Sequence, residues 1–352
     1  MGTRRRSMQV VALALVLLAS LTACAPDPGA PPATTNPPAT LPTAPRVAVP
    51  ASLPPGTRLL VDHGPPTTPD DPWDFYLVDD ESAELLDPES YDRLGLLPIF
   101  GRLAPDGRAL VVADERPDLG LGMSETALCP TATATDCEHL GAIGTASFSP
   151  DGSTIAAVER DAITDIEWLS LIDATTLEEI TRAAVTANAP VLRAPWSPDS
   201  SAIAVTVPAV PGDRRSPTSL ATLEVIPGAT PQVILAGTSA TRRADSALGW
   251  SNDGWISYVW LDADAPDGIA LSIRSMPADA SQPSQLLRTH FPLGGIVALP
   301  DGSLIAQVVG STVPHLLRRG MAPTPLAIAD TIVADYGPVD SMTNVWGYLP
   351  PT

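Results

Sequence analysis

The chain has 352 residues, with 40 acidic and 20 Lys-plus-Arg side chains and a formal net charge of −20; such a field repels nucleic acid and anionic headgroups and argues against a polyanionic partner. Every one of those basic residues is arginine, and 40 prolines and 25 glycines accompany a 44% apolar content, the balance of a turn-rich globular chain long enough to bury a sizeable core. The lack of lysine beside so much alanine and proline fits the codon bias of a GC-rich bacterial genome.

Arg4, Arg5 and Arg6 precede an apolar run over residues 10–18. A basic region followed by a short apolar stretch is the pattern of an export signal, and the stretch is too short to span a bilayer comfortably. The residues that follow, Leu21-Thr-Ala-Cys24, resemble the lipobox of bacterial lipoproteins. That resemblance implies a signal peptide over residues 1–23, with Cys24 lipidated as the mature N-terminus. The chain would then be held at the extracytoplasmic face of the cell membrane. Residues 24–51 are mainly Pro, Ala and Thr with almost no charge, a composition that favours extended polyproline II and reads as a tether.

Beyond the tether, residues 58–62, 74–78 and 84–86 read as three strands with none in front of them. Then one phrase recurs five times: an apolar or aromatic approach, a Pro-Asp-Gly-like turn, and an apolar run. It reads Leu103-Ala-Pro-Asp-Gly, Phe148-Ser-Pro-Asp-Gly, Trp196-Ser-Pro-Asp-Ser, Trp250-Ser-Asn-Asp-Gly and Leu299-Pro-Asp-Gly. Each turn alone is only a hairpin signal, Pro presetting φ, Asp bonding the backbone and Gly allowing positive φ. Its recurrence is specific. Asp106, Asp151, Asp199, Asp253 and Asp301 stand 45, 48, 54 and 48 residues apart, the length of one four-stranded blade in a radial β array.

The repeat resembles that of TolB-like propellers, a WD-repeat-like motif, over residues 53–352, with Ser200 in place of the turn Gly and Asn252 in place of the Pro. Within a repeat, strand a precedes the turn and strands b, c and d follow. In the second repeat they are expected at 145–149, 154–158, 167–172 and 178–185. The resulting expectation is an all-β fold, a six-bladed β-propeller of four-stranded antiparallel blades over residues 52–352. Its C-terminal strand, residues 343–349, would pair beside residues 58–62 and close the N-terminal blade, removing the open edges that invite aggregation.

Cys129 and Cys137 flank a loop-like segment. In an oxidising compartment an even pair implies a disulfide, here closing a short loop worth roughly 2–3 kcal/mol. A two-sulfur metal site near His139 is the alternative, and nothing else in the sequence converges on it.

The loops between strands b and c vary over a regular scaffold, where recognition tends to reside. Trp73, Glu115, Arg116, Glu159, Arg160, Arg214, Arg215 and Trp260 lie in or near them and are the candidate partner-binding residues; a solvated face serving solubility is the competing reading. Asp262, Asp264 and Asp267 with Gly268 are spaced almost as in a calcium loop. The pattern is one residue off and lacks the bidentate Glu, so an acidic surface loop is the commoner explanation and calcium the weaker one. No other cofactor is suggested.

No Gly-x-Ser-x-Gly elbow, His-Glu-x-x-His or phosphate-binding Gly-rich loop occurs, and His63, His139, His290 and His315 are scattered, so no catalytic residue is assigned. TolB-like propellers act through protein contacts in the envelope. The resemblance therefore implies a lipid-anchored interaction module, with the membrane and an envelope or secreted protein as partners. The alternative is a metal-dependent envelope hydrolase or small-ligand binder using the central channel.

Overall fold

The computed structural model describes residues 52–53, 55–62, 75–79, 82–85, 101–115, 124–143, 145–161, 163–164, 166–186, 195–213, 215–265, 271–289, 296–306, 314–326 and 345–349. All of them lie in one compact unit, Ala48–Thr352. The described residues contain strands and turns and no helix. The signal segment, Cys24 and the tether lie outside them, as do Trp73, Arg116, Arg214 and Asp267.

The strands form antiparallel sheets of three or four, six in number among the described residues. Sheet I joins the two ends of the unit in the order β22-β1-β2-β3: β1 (Arg58–Asp62) lies between β22 (Val345–Leu349) and β2 (Phe75–Val78), with β3 (Ala83–Leu85) outermost. Sheet II holds β4 (Ala109–Glu115), β5 (Ser124–Cys129) and β6 (Glu138–Ile143). Sheet III runs β7 (Thr145–Phe148), β8 (Thr154–Arg160), β9 (Glu167–Asp173) and β10 (Glu179–Val185), each within two residues of its expected bounds. Sheet IV has β11 (Ala202–Pro208), β12 (Thr218–Glu224) and β13 (Gln232–Leu235). Sheet V has β14 (Arg242–Trp250), β15 (Trp255–Asp262), β16 (Leu271–Pro277) and β17 (Gln285–Thr289). Sheet VI has β18 (Ile296–Ala298), β19 (Leu304–Ala306), β20 (His315–Leu317) and β21 (Thr324–Pro325).

In the two three-stranded sheets the described residues before the turn make a single bridge, Leu103 to Ala109 in sheet II and Trp196 to Ile203 in sheet IV. The approach residues Gly101 and Pro195 both lie beside or within such segments, and a proline at that position removes a ladder donor.

Period-two alternation divides the inner strands of sheet III between two seams. On β7 and β8, Ala146, Phe148, Ile155 and Ala157 pack with Leu110 of sheet II, whereas Ala156 and Val158 pack with Trp196, Ile203 and Val205 of sheet IV. Leu59, Val61 and Val78 of sheet I share a cluster with Val297, Leu299 and Leu316 of sheet VI. Strands carrying Ile, Val and Ala on both faces are what a sheet covered on both sides requires. Cys129 and Cys137 form a disulfide with Cα atoms 4.3 Å apart, across the neck of the β5–β6 hairpin.

The turns before strand b share a construction. Ser149, Ser197 and Ser251 each donate a hydroxyl hydrogen bond to the carboxylate two residues on, Asp151 (2.7 Å), Asp199 (2.6 Å) and Asp253. The same hydroxyl accepts the N–H that opens the next strand, from Thr154 (3.0 Å), Ala202 (2.9 Å) and Trp255 (3.1 Å). The turn aspartate then accepts an N–H two residues downstream, from Arg108 (3.1 Å), Ser153 (3.0 Å), Ser201 (3.1 Å) and Ser303 (2.9 Å). Serine, aspartate and backbone thus satisfy one another before any tertiary contact is made.

Successive turns also interlock. Arg108 reaches from sheet II to the carbonyls of Gly152 (2.9 Å) and Ala174 (2.5 Å) in sheet III. Ser200, in the left-handed region at φ 63°, uses its hydroxyl to accept the N–H of Asp151 at 3.1 Å, so the departure from the Gly consensus carries a bond that Gly cannot make. Gly152 has φ +75°, and a Cβ there would stand 2.9 Å from Pro105 Cδ and 3.1 Å from Ala104 Cβ; Gly107 has φ +91° and open space around it. Gly107→Ala is therefore expected to lose about 1–2 kcal/mol from backbone conformation alone. Gly152→Ala should lose about 2–4 kcal/mol, because overpacking adds to the same backbone term. Urea midpoints measure the difference, and equal losses would refute the interlocking of turns.

Candidate functional site

The short turns before strand b and the longer loops between b and c occupy opposite strand ends. The turn end is committed to structure. The hydroxyl of Ser197, then the hydroxyl and N–H of Ser201, hold the Asp199 carboxyl down to about 2. At Asp151 desolvation pushes upward, but the hydrogen bonds from Ser149, Ser153 and Ser200 together outweigh it and the carboxyl is lowered. A carboxyl depressed in the folded state contributes stability above its unfolded value, about 3.9, and loses it as pH falls. With Asp199 titrating at about 2, the protein should lose stability progressively from about pH 5 to pH 2. Asp199→Asn should flatten that limb of the stability curve in urea titrations, and an unchanged acid limb would contradict the assignment.

The b–c end differs in sheets III and IV. In the first loop the Asp161 carboxylate accepts N–H bonds from Ile163 (2.8 Å) and Thr164 (3.2 Å), and the Asp161 N–H bonds the Ile166 carbonyl at 2.9 Å. In the second, Val210 N–H bonds Ser216 Oγ at 2.8 Å, Arg215 N–H bonds Asp213 Oδ1 at 2.9 Å and Ser216 N–H bonds the Asp213 carbonyl at 2.9 Å. The loops touch: a Cβ on Gly212 would stand 3.2 Å from both Ile166 Cγ1 and the Thr164 carbonyl. On these hydrogen-bonded supports Ile163 is 95% and Val210 56% exposed, beside the exposed Arg215 and the carboxylates of Asp161 and Asp213.

Of the residues singled out in the sequence, Arg160 and Arg215 are exposed. Glu159 ion-pairs with Arg182 at 3.2 Å, and Arg182 in turn lies 4.9 Å over the Trp168 ring, so that charge is engaged within sheet III. Glu115 ends β4, paired with Ser124. Trp260 requires a correction: it is 7% exposed and packs with Ala204, Leu220, Tyr258 and Met276. The strand containing it continues to Asp262, so Trp260 keeps the alternation of Ile256 and Tyr258 and faces the seam with sheet IV instead of a loop.

Asp262 ion-pairs with Arg242 at 3.4 Å, and Asp264 accepts a hydrogen bond from Thr241 at 3.1 Å. Among the described residues no group of three or more His, Cys, Asp or Glu is placed to hold a metal ion. Sequence reasoning sought charge and aromatic rings on the loops and passed over Ile163 and Val210. Their signal was an isolated apolar residue inside a polar loop, which only measured exposure distinguishes from a buried anchor.

No protein-family model and no curated protein sequence matches the chain. Among solved structures it is similar to a prolyl endopeptidase, at 14% identity and a TM-score of 0.44 over 64% of this chain, and it spans 36% of that protein's length. It is similar to the β-propeller domain of the Trilobed protease from Pyrococcus furiosus, at 11% identity and a TM-score of 0.44, covering 76% of this chain and 84% of that one. It is also similar to a putative TolB from Agrobacterium tumefaciens, at 15% identity and a TM-score of 0.38, covering 67% and 89% respectively. The strand pairing described above, and not these distant likenesses, carries the assignment of an all-β protein built of antiparallel sheets.

Proposed function

We propose that the chain is a lipid-anchored envelope protein whose six sheets are the blades of a propeller closed by β22, and that it docks another envelope or secreted protein through its b–c loops. The repeat length, the shared construction of the turns and the packing of β8 against seams on both sides support the propeller. Cys24 would carry the lipid and residues 24–51 would hold the docking face away from the membrane.

The observation that carries the docking role is the pair Ile163 and Val210. Isolated apolar side chains on a surface are ordinary, but two on adjoining loops, each fixed by hydrogen bonds and bordered by both signs of charge, form a small anchor patch. Loops held this firmly lose little conformational entropy on association, which favours binding.

A photo-crosslinking residue at 163 or 210 in cells should capture the same protein, and one at Met321, 63% exposed, should not. Ile163→Asp and Val210→Asp should weaken binding of the purified partner at least about tenfold, on the order of 1.4 kcal/mol, with thermal stability unchanged. Capture that does not depend on position would overturn the reading.

A further inference from the structure

The loop that joins the outer two strands of sheet II is held in a way that leaves its side chains unused. In the corresponding loop of sheet III the Asp173 carboxylate accepts the N–H groups of Thr175 and Thr176, each at 2.8 Å, and Thr176 Oγ1 accepts the Glu178 N–H at 3.3 Å. In that of sheet V, Asp279 accepts the Ser281 N–H at 2.9 Å. Carboxyl and hydroxyl groups thus fix those loops by bonding the nearby backbone. Between Cys129 and Cys137 the same task falls to the disulfide, with Cα atoms 4.3 Å apart, and to a backbone bond from the Ala134 N–H to the Thr131 carbonyl at 3.2 Å.

Pro130-Thr-Ala-Thr-Ala-Thr135 therefore presents three hydroxyls with no structural duty. Thr131, Thr133 and Thr135 are exposed, Ala132 and Ala134 between them are half-buried, and none of the three hydroxyls bonds another group among the described residues. The segment carries no charge in a chain of net charge −20, and it is built of the same three residue types as Pro31-Pro-Ala-Thr-Thr35 and Pro37-Pro-Ala-Thr40 in the tether. Threonine-rich segments containing proline are the composition on which O-linked sugars are carried. Cys129 pairs with Ala109, the residue that opens β4, so the loop projects from the turn end of the sheet. A sugar there leaves the b–c loops clear.

We propose that Thr131, Thr133 and Thr135 are O-glycosylation acceptors, modified after export with a sugar activated as a phosphate ester. In the transfer the Thr Oγ attacks the anomeric carbon and the glycosidic C–O bond forms. The bond to the phosphate breaks and the phosphate leaves with its electron pair, while the hydroxyl proton passes to a base of the transferase. The inference rests on the extracytoplasmic placement within the proposed function, where the disulfide that presents the loop also forms, and it is independent of the docking role.

The test compares the chain recovered from membranes of its source organism with a chain lacking residues 1–23 made in the cytosol, both digested without reduction. Mass spectrometry of the peptide spanning residues 129–137 should find one or more sugar increments in the first, mapped by electron-transfer fragmentation to Thr131, Thr133 or Thr135, and none in the second. Changing all three threonines to Ala should abolish the increment and leave the melting temperature of the sugar-free protein unchanged, since the hydroxyls bond nothing in the fold. Thr175, exposed in the loop that Asp173 holds, should stay unmodified; sugar there as well would show that exposure alone selects the acceptor and would overturn the role of the disulfide-held loop. An unmodified peptide in a chain that has lost residues 1–23 and holds the disulfide would overturn the proposal and leave the export reading intact. A chain that keeps residues 1–23 with both cysteines reduced would overturn the two together.

Discussion

A chain ending before residue 343 is expected not to fold. Strand β1 is interior to its sheet because β22 pairs with it, Arg58 opposite Leu349, Leu59 opposite Tyr348 and Leu60 opposite Gly347. Removing β22 leaves the backbone groups of β1 unpaired along one edge, in a strand whose Leu59, Leu60 and Val61 are at most 1% exposed. Several backbone hydrogen bonds at about 0.5–1.5 kcal/mol net each, with loss of apolar burial at about 25 cal/mol per Å², reach the 5–15 kcal/mol that holds a typical domain together. The edge so exposed is also a template for aggregation. Circular dichroism and gel filtration should find an unfolded or aggregated chain, and a peptide of residues 343–352 supplied in excess should restore cooperative melting. A monomeric truncated protein with unchanged melting temperature would show that β22 is not an integral part of sheet I.

Tyr258→Ala is the second large effect, about 3–5 kcal/mol by analogy with other buried aromatic truncations. The side chain is fully buried and bridges the seam between sheets IV and V, packing with Ala204, Leu220, Ile256 and Met276. Its hydroxyl donates to Ser284 Oγ at 2.5 Å, so Tyr258→Phe should lose only about 1 kcal/mol. Burial raises the phenol above its ordinary value despite that hydrogen bond. A group whose pKa is raised on folding contributes stability below the unfolded value, about 10, and loses it as pH climbs through the folded one. The wild type should therefore weaken above about pH 10 while Tyr258→Phe weakens less. Equal losses in the Ala and Phe variants would place the stabilisation in the hydroxyl alone and refute the packing argument.

Much of the architecture was legible because it is periodic. The Ser-Pro-Asp-Gly turns act within a few residues, so their spacing marked where strands begin, and period-two runs such as Ile155 to Val158 identified strands covered on both sides. The pairing of residues 345–349 with 58–62 could be anticipated from an unaccompanied group of strands at each end. The candidate site was the least legible part. Glu159, a candidate partner-binding residue, bonds Arg182 of the same sheet, a pair that meets only once β8 and β10 share a sheet. Trp260 stands near a loop in the sequence, but its strand's alternation turns it into the core.

Local chemistry in the sequence thus determined the strand composition, the turn construction and the pairing of Cys129 with Cys137, since each depends on residues within a few positions of one another. Only the tertiary structure decided which side chains are exposed and which are buried. Ile163 stands in solvent, Trp260 is buried, and Ser200 compensates its strained backbone by bonding Asp151. Each of these outcomes is settled between sheets, by side chains 40 or more residues distant in the chain or by their absence, and no local pattern encodes it.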